Sequence, residues 1–361
     1  MVVDDSAVIR GLLARGLESD PDIKVIASAS NGEQALRALE RHDVEIVVLD
    51  IEMPVMDGMT ALPLLLKAKP GMQVIMASTL TRHNAEISLR AMANGAADYV
   101  AKPSSTSEIH STDVFRRELI DKVKAVASAG RGARQIAKPM PGRAPGGRTS
   151  VKSLSLTGPL KLRPAPQARP DIIAIGSSTG GPPALFSFLS DFCRDVSLPI
   201  LITQHMPATF TSLLAEHITR ACRWSAAEGK DGEPILPGRI YVAPGGFHMT
   251  VARGDTNNMI RIQDGPQENF CKPSVDPMLR SMAPIYGARM LVIMLTGMGH
   301  DGRDGSKVVT AAGGSVIAQD EATSVVWGMP GAVATAGLCS AVLPLNDLAP
   351  YVRKLVLRSA A

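Results

Sequence analysis

Through residues 1–103, short β-branched runs alternate with stretches whose apolar positions recur at helical spacing. The runs are Met1–Val3, Lys24–Ala29, Ile46–Leu49, Val74–Ala77 and Asp98–Val100. Ser6 stands where an N-cap would, ahead of Val8, Ile9, Leu12, Leu13 and Leu17 on one helical face. An amphipathic run from Val114 to Val126 closes the unit. Strands alternating with helices require a parallel sheet covered on both faces, so residues 1–127 are predicted to form a flavodoxin-like, doubly wound α/β domain. Its first strand, Met1–Val3, is expected to pair weakly because it is so short.

From Ser128 to Pro170 the periodicity disappears, and Ala137–Gly147 alone holds three prolines and three glycines. Such a composition buries too little apolar surface to offset its ordering entropy, so residues 128–170 are expected to be a mobile tether. A second alternation begins at Asp171. Strands are expected at Ile172–Ile175, Ile200–Thr203, Ile240–Val242, Met290–Leu295 and Ser315–Ala318, with helices over Pro183–Leu189, Phe210–Arg220 and Gly305–Ala312. Residues 171–361 therefore read as another doubly wound, mostly parallel α/β domain, in which functional groups gather at the carboxyl ends of the strands.

Composition narrows the field. A chain of 361 residues suits two domains rather than one core. No run of about 18 uncharged apolar residues occurs, so no membrane insertion is expected. The N-terminus reaches Asp4 and Asp5 without a secretory pattern. Cys193, Cys222, Cys271 and Cys339 are scattered, with no C-x-x-C pair, and read as reduced thiols. A cytoplasmic monomer is the expectation. The net charge of +4 divides unevenly: −4 over residues 1–127, −1 over 171–361, and nine basic residues with no acid between Arg131 and Arg169. That segment reads as a solvated linker, not as a nucleic-acid surface.

Asp4 and Asp5 follow the first strand and Asp50 follows the third. In a doubly wound sheet those ends are neighbours, so three carboxylates converge and repel one another unless a cation intervenes. An all-oxygen set suits Mg²⁺. Ser78 and Lys102 end later strands on the same edge. A carboxylate nucleophile, a hydroxyl, an ammonium and Mg²⁺ are the parts needed to accept and hold a phosphoryl group. Val3-Asp4-Asp5-Ser6, Leu49 through Pro54, Met56-Asp57-Gly58, Ser78 and Lys102-Pro103 together resemble the receiver domain of two-component response regulators. The resemblance implies that Asp50 takes phosphate from a histidine kinase. It also implies Mg²⁺ on Asp4, Asp5, Asp50 and the backbone carbonyl of Glu52, with Ser78 and Tyr99 rearranging on phosphorylation. Receivers usually carry more residues before the paired acids, so the chain is expected to begin inside a longer product.

The strand Ile172–Ile175 runs into Gly176-Ser177-Ser178-Thr179-Gly180-Gly181 and a helix. Glycines there permit a sharp turn that presents a hydroxyl at the strand end, with helix N–H groups beside it for developing negative charge. Ile200–Thr203 delivers Gln204-His205-Met206-Pro207 to the same edge, and Met290–Leu295 delivers Thr296 through Gly302. His205 is thereby placed as a general base and Asp301 as the acid that orients it; His248 and His300 are rivals for the base. A DNA-binding output would need a basic recognition helix, and a dinucleotide site would need G-x-G-x-x-G spacing. Neither pattern stands out.

Residues 171–350 resemble the catalytic domain of the CheB family of chemotaxis methylesterases. The likeness rests on Ile175 through Gly181, Thr203 through Pro207, Tyr241 through Gly245, Pro273 through Asp276, Leu295 through Gly302 and Gly328-Met329-Pro330. It implies Ser178 as nucleophile, His205 as base, Asp301 as orienting acid, Met298 as a backbone oxyanion donor and Thr179 as a supporting residue. It further implies hydrolysis of glutamate γ-methyl esters, and deamidation of glutamine, on chemoreceptor helices without a cofactor for the ester step. Two departures stand out: Ser177 replaces the usual alanine, and His300 occupies a variable position.

Overall fold

The alternation becomes two parallel sheets. A computed structural model describes residues 1–79, 81–102, 109–136, 160–193 and 196–357. The first unit comprises β1 (Val2–Val3), α1 (Ala7–Glu18), β2 (Ser28–Ala29), α2 (Gly32–Leu39), β3 (Ile46–Asp50), α3 (Gly58–Ala68), β4 (Gln73–Ser78), α4 (Arg82–Ala93), β5 (Asp98–Ala101) and α5 (Ile109–Ile136). Its strands lie in the order β2-β1-β3-β4-β5, all parallel. The short β1 still pairs on both sides, Val2 with Ser28 and Val48, Val3 with Ala29 and Leu49. Because β1 offers only two ladder residues, β2 begins at Ser28 rather than at Lys24.

The second unit comprises β6 (Ile172–Ser177), α6 (Gly181–Phe192), β7 (Ile200–Gln204), α7 (Ala208–Cys222), β8 (Ser225–Glu228), β9 (Arg239–Val242), β10 (His248–Ala252), β11 (Met259–Gln263), α8 (Val275–Tyr286), β12 (Met290–Met294), α9 (Arg303–Ala311), β13 (Ser315–Gln319), α10 (Met329–Thr335), β14 (Cys339–Leu343) and α11 (Leu345–Val356). Seven of these strands form a parallel sheet ordered β14-β13-β12-β6-β7-β9-β8, while β10 and β11 form a separate antiparallel hairpin. The chain leaves β6 toward β7 on one side and later returns to β12 on its other side. The carboxyl ends of β12, β6 and β7 therefore flank the point where strand order reverses, the usual place for a site in such sheets.

The boundary at residue 127 does not hold. The Ala- and Arg-containing stretch after Val126 continues α5 to Ile136, and Arg131 pairs with Glu45 at 3.2 Å. At the far end of the expected tether, Leu160 packs against the apolar cluster of the second unit, and the Arg163 N–H donates to the Cys339 carbonyl at 2.8 Å. The remainder of the expected tether, residues 137–159, lies outside the described residues.

The two units pack through α4 against α6 and α7. Tyr99 of β5 stacks on Phe210 of α7 with ring centroids 4.2 Å apart. The apolar cluster that holds Phe115 and Leu119 of α5 also takes in Val326, with Val325 and Met298 against it.

Candidate active site and phosphoacceptor

The loop leaving β6 presents two adjacent hydroxyls, and their surroundings differ. Ser177 ends the strand, is fully buried and donates from Oγ to Gln204 Oε1 at 2.6 Å. Ser178 is partly exposed, and among the described residues its hydroxyl has no hydrogen-bond partner. Its backbone is held from three directions. The Ser178 N–H donates to Thr296 O at 3.1 Å; its carbonyl accepts from Gly181 N at 2.8 Å and from Gln204 Nε2 at 2.9 Å. The turn needs its glycines: Gly180 has φ 74°, and a Cβ on Gly181 would stand 2.0 Å from Gln204 Oε1.

One strand over, His205 follows β7, with its N–H donating to Ser177 O at 3.1 Å. Its Nε2 meets Asp301 Oδ2 at 2.8 Å, and its Nδ1 meets Cys271 Sγ at 3.3 Å. Asp301, beyond β12, is buried and heavily bonded. Its Oδ1 accepts from Ser274 Oγ at 2.7 Å, Asn269 Nδ2 at 2.9 Å and Gly302 N at 2.9 Å, and its Oδ2 accepts from Val275 N at 2.6 Å. Burial alone would raise the Asp301 carboxyl. Hydrogen bonding and charge pairing with His205, together with the Val275 and Ser274 donors, instead hold it well below the usual carboxylate range. Burial likewise opposes a charged His205, but Asp301 and Cys271 outweigh it and push the imidazole up to about 10. Both partners therefore favour the protonated form of the imidazole.

The other histidines stand apart from this couple. His248 is buried in β10, with Nε2 on Pro266 O at 2.8 Å and Nδ1 accepting from Ser274 N at 3.2 Å. His300 is exposed. His217 lies on α7, with its ring 6.0 Å from Phe186. The Met298 N–H donates to none of the described residues, whereas its neighbour Gly297 N bonds Val326 O at 3.0 Å. Thr179 is buried and gives its hydroxyl to Asp98 Oδ2 of the first unit at 2.7 Å.

Three contributors escape the sequence reading: Asn269, Cys271 and Ser274. All belong to the segment between β11 and α8, reach the site from outside the parallel sheet, and carry no strand-end signal. Asp276, in the first turn of α8, is a buried group beside them. It accepts from Asn269 Nδ2 at 2.9 Å and Gly305 N at 2.6 Å, and burial followed by the nearby Asp301 charge raises its pKa.

On the first sheet, carboxylate oxygens of Asp4, Asp5 and Asp50 lie within 4.8 Å of one another. Lys102 Nζ is 2.6 Å from Asp4 Oδ2 and 2.6 Å from Asp50 Oδ1. Burial pushes the Asp50 carboxyl up to about 6 against the pull of Lys102, with Asp4 adding to the rise. The donors are all oxygen and their charges incompletely balanced, which fits a hard divalent cation. Ser78 is buried at the end of β4 and accepts from Ser88 Oγ at 3.0 Å. Tyr99 is buried beneath the second unit, and Glu52 is exposed beside the acids.

An acidic phosphoacceptor sheet joined to an α/β unit with hydrolase-type strand ends defines a receiver-coupled esterase. Residues 1–112 match the model of the response regulator receiver domain, and residues 173–352 match that of the CheB methylesterase. A protein-glutamate methylesterase/protein-glutamine glutaminase of group 2 operon from Rhodospirillum centenum is 57% identical over 100% of this chain and 94% of that protein. The protein-glutamate methylesterase/protein-glutamine glutaminase of Azospirillum brasilense is 54% identical over 100% of this chain and 93% of its own length. The crystal structure of the Thermotoga maritima CheB methylesterase catalytic domain overlays with a TM-score of 0.51 at 36% identity, covering 52% of this chain and 100% of that one. The chain belongs to the CheB methylesterase family and is an enzyme of that class under receiver control. No helix among the described residues is long and apolar enough to cross a membrane.

Proposed function

We propose that the chain hydrolyses glutamate γ-methyl esters, and deamidates glutamine, on the cytoplasmic helices of chemoreceptors, with Ser178, His205 and Asp301 as its catalytic triad. The reading is carried by one observation: the His205–Asp301 couple, closed at 2.8 Å, sits on the strand next to the loop that offers the unpartnered Ser178 hydroxyl. Asp301 holds Nε2, so Nδ1 is the nitrogen left to take the Ser178 proton. Cys271 Sγ meets Nδ1 at 3.3 Å; in the proposed cycle it gives up that nitrogen, and His205 acts as base in its neutral form, with Nδ1 unprotonated. Ser178 then attacks the ester carbonyl, and His205 passes the proton to departing methoxide; water repeats the cycle on the acyl-enzyme. The Met298 N–H is the proposed oxyanion donor, a group whose loss typically costs about 3–4 kcal/mol of barrier. Ser177 is unsuited to attack because its hydroxyl is buried and bonded to Gln204.

Asp50 is the proposed phosphoacceptor, supplied by a histidine kinase. Asp4, Asp5, Asp50 and the Glu52 carbonyl would hold Mg²⁺, which neutralises phosphoryl oxygens when bound. Lys102 already bridges two of those acids. Methanol release from methylated receptors tests the esterase reading. Ser178→Ala is expected to abolish release and Ser177→Ala to keep most of it; the reverse order would overturn the assignment.

A further inference from the structure

The segment between β11 and α8 folds back in a tight turn at Glu268–Cys271. Cys271 N donates to Glu268 O at 2.9 Å and Glu268 N to Cys271 O at 3.2 Å. The two central residues both lie in the left-handed region, Asn269 at φ 53° and Phe270 at φ 62°. Two-residue hairpin turns of this kind accept asparagine at the first central position and strongly prefer glycine at the second. Here the second position holds a phenylalanine whose surface is 87% exposed. A large ring is therefore kept in a strained backbone state without contributing to any core.

Its neighbours do the opposite. Asn269 reaches inward to Asp301 and Asp276, each at 2.9 Å, and Cys271 meets His205 at 3.3 Å. The turn is braced from outside by Arg280, which donates to both Glu268 oxygens at 2.6 and 2.8 Å. Gly246 N donates to Lys272 O at 3.1 Å, which brings alongside a second partly exposed ring, Phe247, 42% exposed, with Lys272 Nζ 5.9 Å from its centroid. An apolar projection thus stands on the residue between two that grip the catalytic couple. It remains exposed with the receiver packed on the domain, so its surface is free in the resting protein.

We infer that Phe270 is a substrate-docking residue that seats an apolar strip of the target helix beside the glutamyl side chain to be hydrolysed. This rests on the methylesterase reading above and adds what recognises the protein around the ester. The occupant is the substrate helix because the ring stands on the residue between Asn269, bonded to Asp301, and Cys271, in contact with His205, so a partner held by it is tethered beside the catalytic couple. Helical substrates present apolar residues three or four positions from a given glutamate, within reach of such a ring. Aromatic side chains, Phe among them, are enriched at interface cores, where a few residues carry most of the binding energy.

The test compares two substrates on the full-length, phosphodonor-treated protein: a methylated receptor cytoplasmic fragment, and N-acetyl-glutamate γ-methyl ester, which has no helix to dock. Phe270→Ala is expected to raise KM for the receptor about tenfold, with its kcat and small-ester hydrolysis near wild type, while Phe270→Trp retains low KM. Phe270→Gly removes the backbone strain, so it is expected to bind receptor as poorly as the alanine variant while melting at a higher temperature. A receptor KM within twofold of wild type in both variants would overturn the inference, as would equal loss on both substrates. Failure of the wild-type protein to release methanol from either substrate would instead overturn the esterase reading itself.

Discussion

At the scale of single residues, the contact that matters most to the chemistry is Cys271 on His205. Both ring nitrogens of the proposed base are engaged at rest, and both partners favour the cation. A general base works only when neutral, so esterase activity should rise with pH along a limb set by His205. Removing one of the two groups that favour the cation lowers that pKa. Cys271→Ala is therefore expected to move the acidic limb of the pH–rate profile to lower pH, whereas Cys271→Ser, able to hydrogen-bond, should move it less. A limb unchanged in both variants would mean that the thiol is a bystander. His205, directly after β7, and Asp301, in the loop that follows β12, could be singled out from strand position, whereas Ser178 is distinguished from its neighbour through the family resemblance. Cys271 could not, since its approach depends on a turn formed around a phenylalanine where glycine would have signalled one. Strand position alone does not separate Ser177 from Ser178; the family resemblance favours Ser178, and burial and the Gln204 bond set Ser177 apart.

Among elements, the entry to α6 carries the heaviest constraint. Ser177 lies opposite Gln204 in the β6–β7 ladder, and the Gln204 amide then bridges outward to the Ser178 carbonyl. The first helical residue must be glycine because a methyl there would stand 2.0 Å from Gln204 Oε1. Gly181→Ala is expected to displace the Gln204 amide, release Ser178 from its backbone clamp and destabilise the domain by about 1–3 kcal/mol. Receptor demethylation should fall at least tenfold, read alongside thermal unfolding; full activity would mean the loop tolerates a shifted amide. The strands of the first sheet and the five inner strands of the second were legible because continuous apolar runs bounded by polar turns are a local property; the edge strands β8 and β14 were not. The β10–β11 hairpin was not, since its partner is the face of α8 rather than the main sheet. The helical stretch after Val126 was also missed, because its glycines and arginines resemble the linker that follows. Arg131 meets Glu45, distant in sequence, but both side chains are about half exposed, so the pair marks the helix's course along the first domain more than it holds it there.

Across the whole molecule, the two domains meet through groups that belong to both functions. Asp98 sits on the receiver strand beside Tyr99, and its carboxylate takes the hydroxyl of Thr179, the residue after the proposed nucleophile. Lys122 holds that carboxylate from behind at 3.3 Å, bonds the Tyr99 carbonyl at 2.6 Å and lies 4.8 Å from the Tyr99 ring, which stacks on Phe210. The receiver's apolar cluster also takes in Val326, and Met298, the proposed oxyanion donor, packs against that same cluster. On the proposed reading, phosphorylation of Asp50 loosens this contact surface by shifting the balance of docked and open forms.

The Asp98–Thr179 bond links a charged acceptor to a buried hydroxyl, a class worth about 1.5–3 kcal/mol net. Removing it leaves Lys122 paired with Glu118 at 3.0 Å and leaves the Tyr99–Phe210 stack intact, so the receiver should still fold and still dock, less tightly. Each 1.4 kcal/mol multiplies the open population about tenfold while that population is small. Asp98→Ala is accordingly expected to raise the basal, unphosphorylated methanol-release rate about tenfold toward the phosphodonor-treated ceiling, leaving the ceiling unchanged. Arg82→Ala supplies the contrast. Its ion pair with Glu216 also crosses the interface at 2.6 Å, but both side chains are largely solvated, 65% and 47% exposed, and such pairs contribute little. If Arg82→Ala activates as strongly as Asp98→Ala, restraint comes from general adhesion between the domains. If only Asp98→Ala activates, control runs through the hydroxyl next to Ser178, and the receiver acts on the catalytic loop itself as well as on access to it.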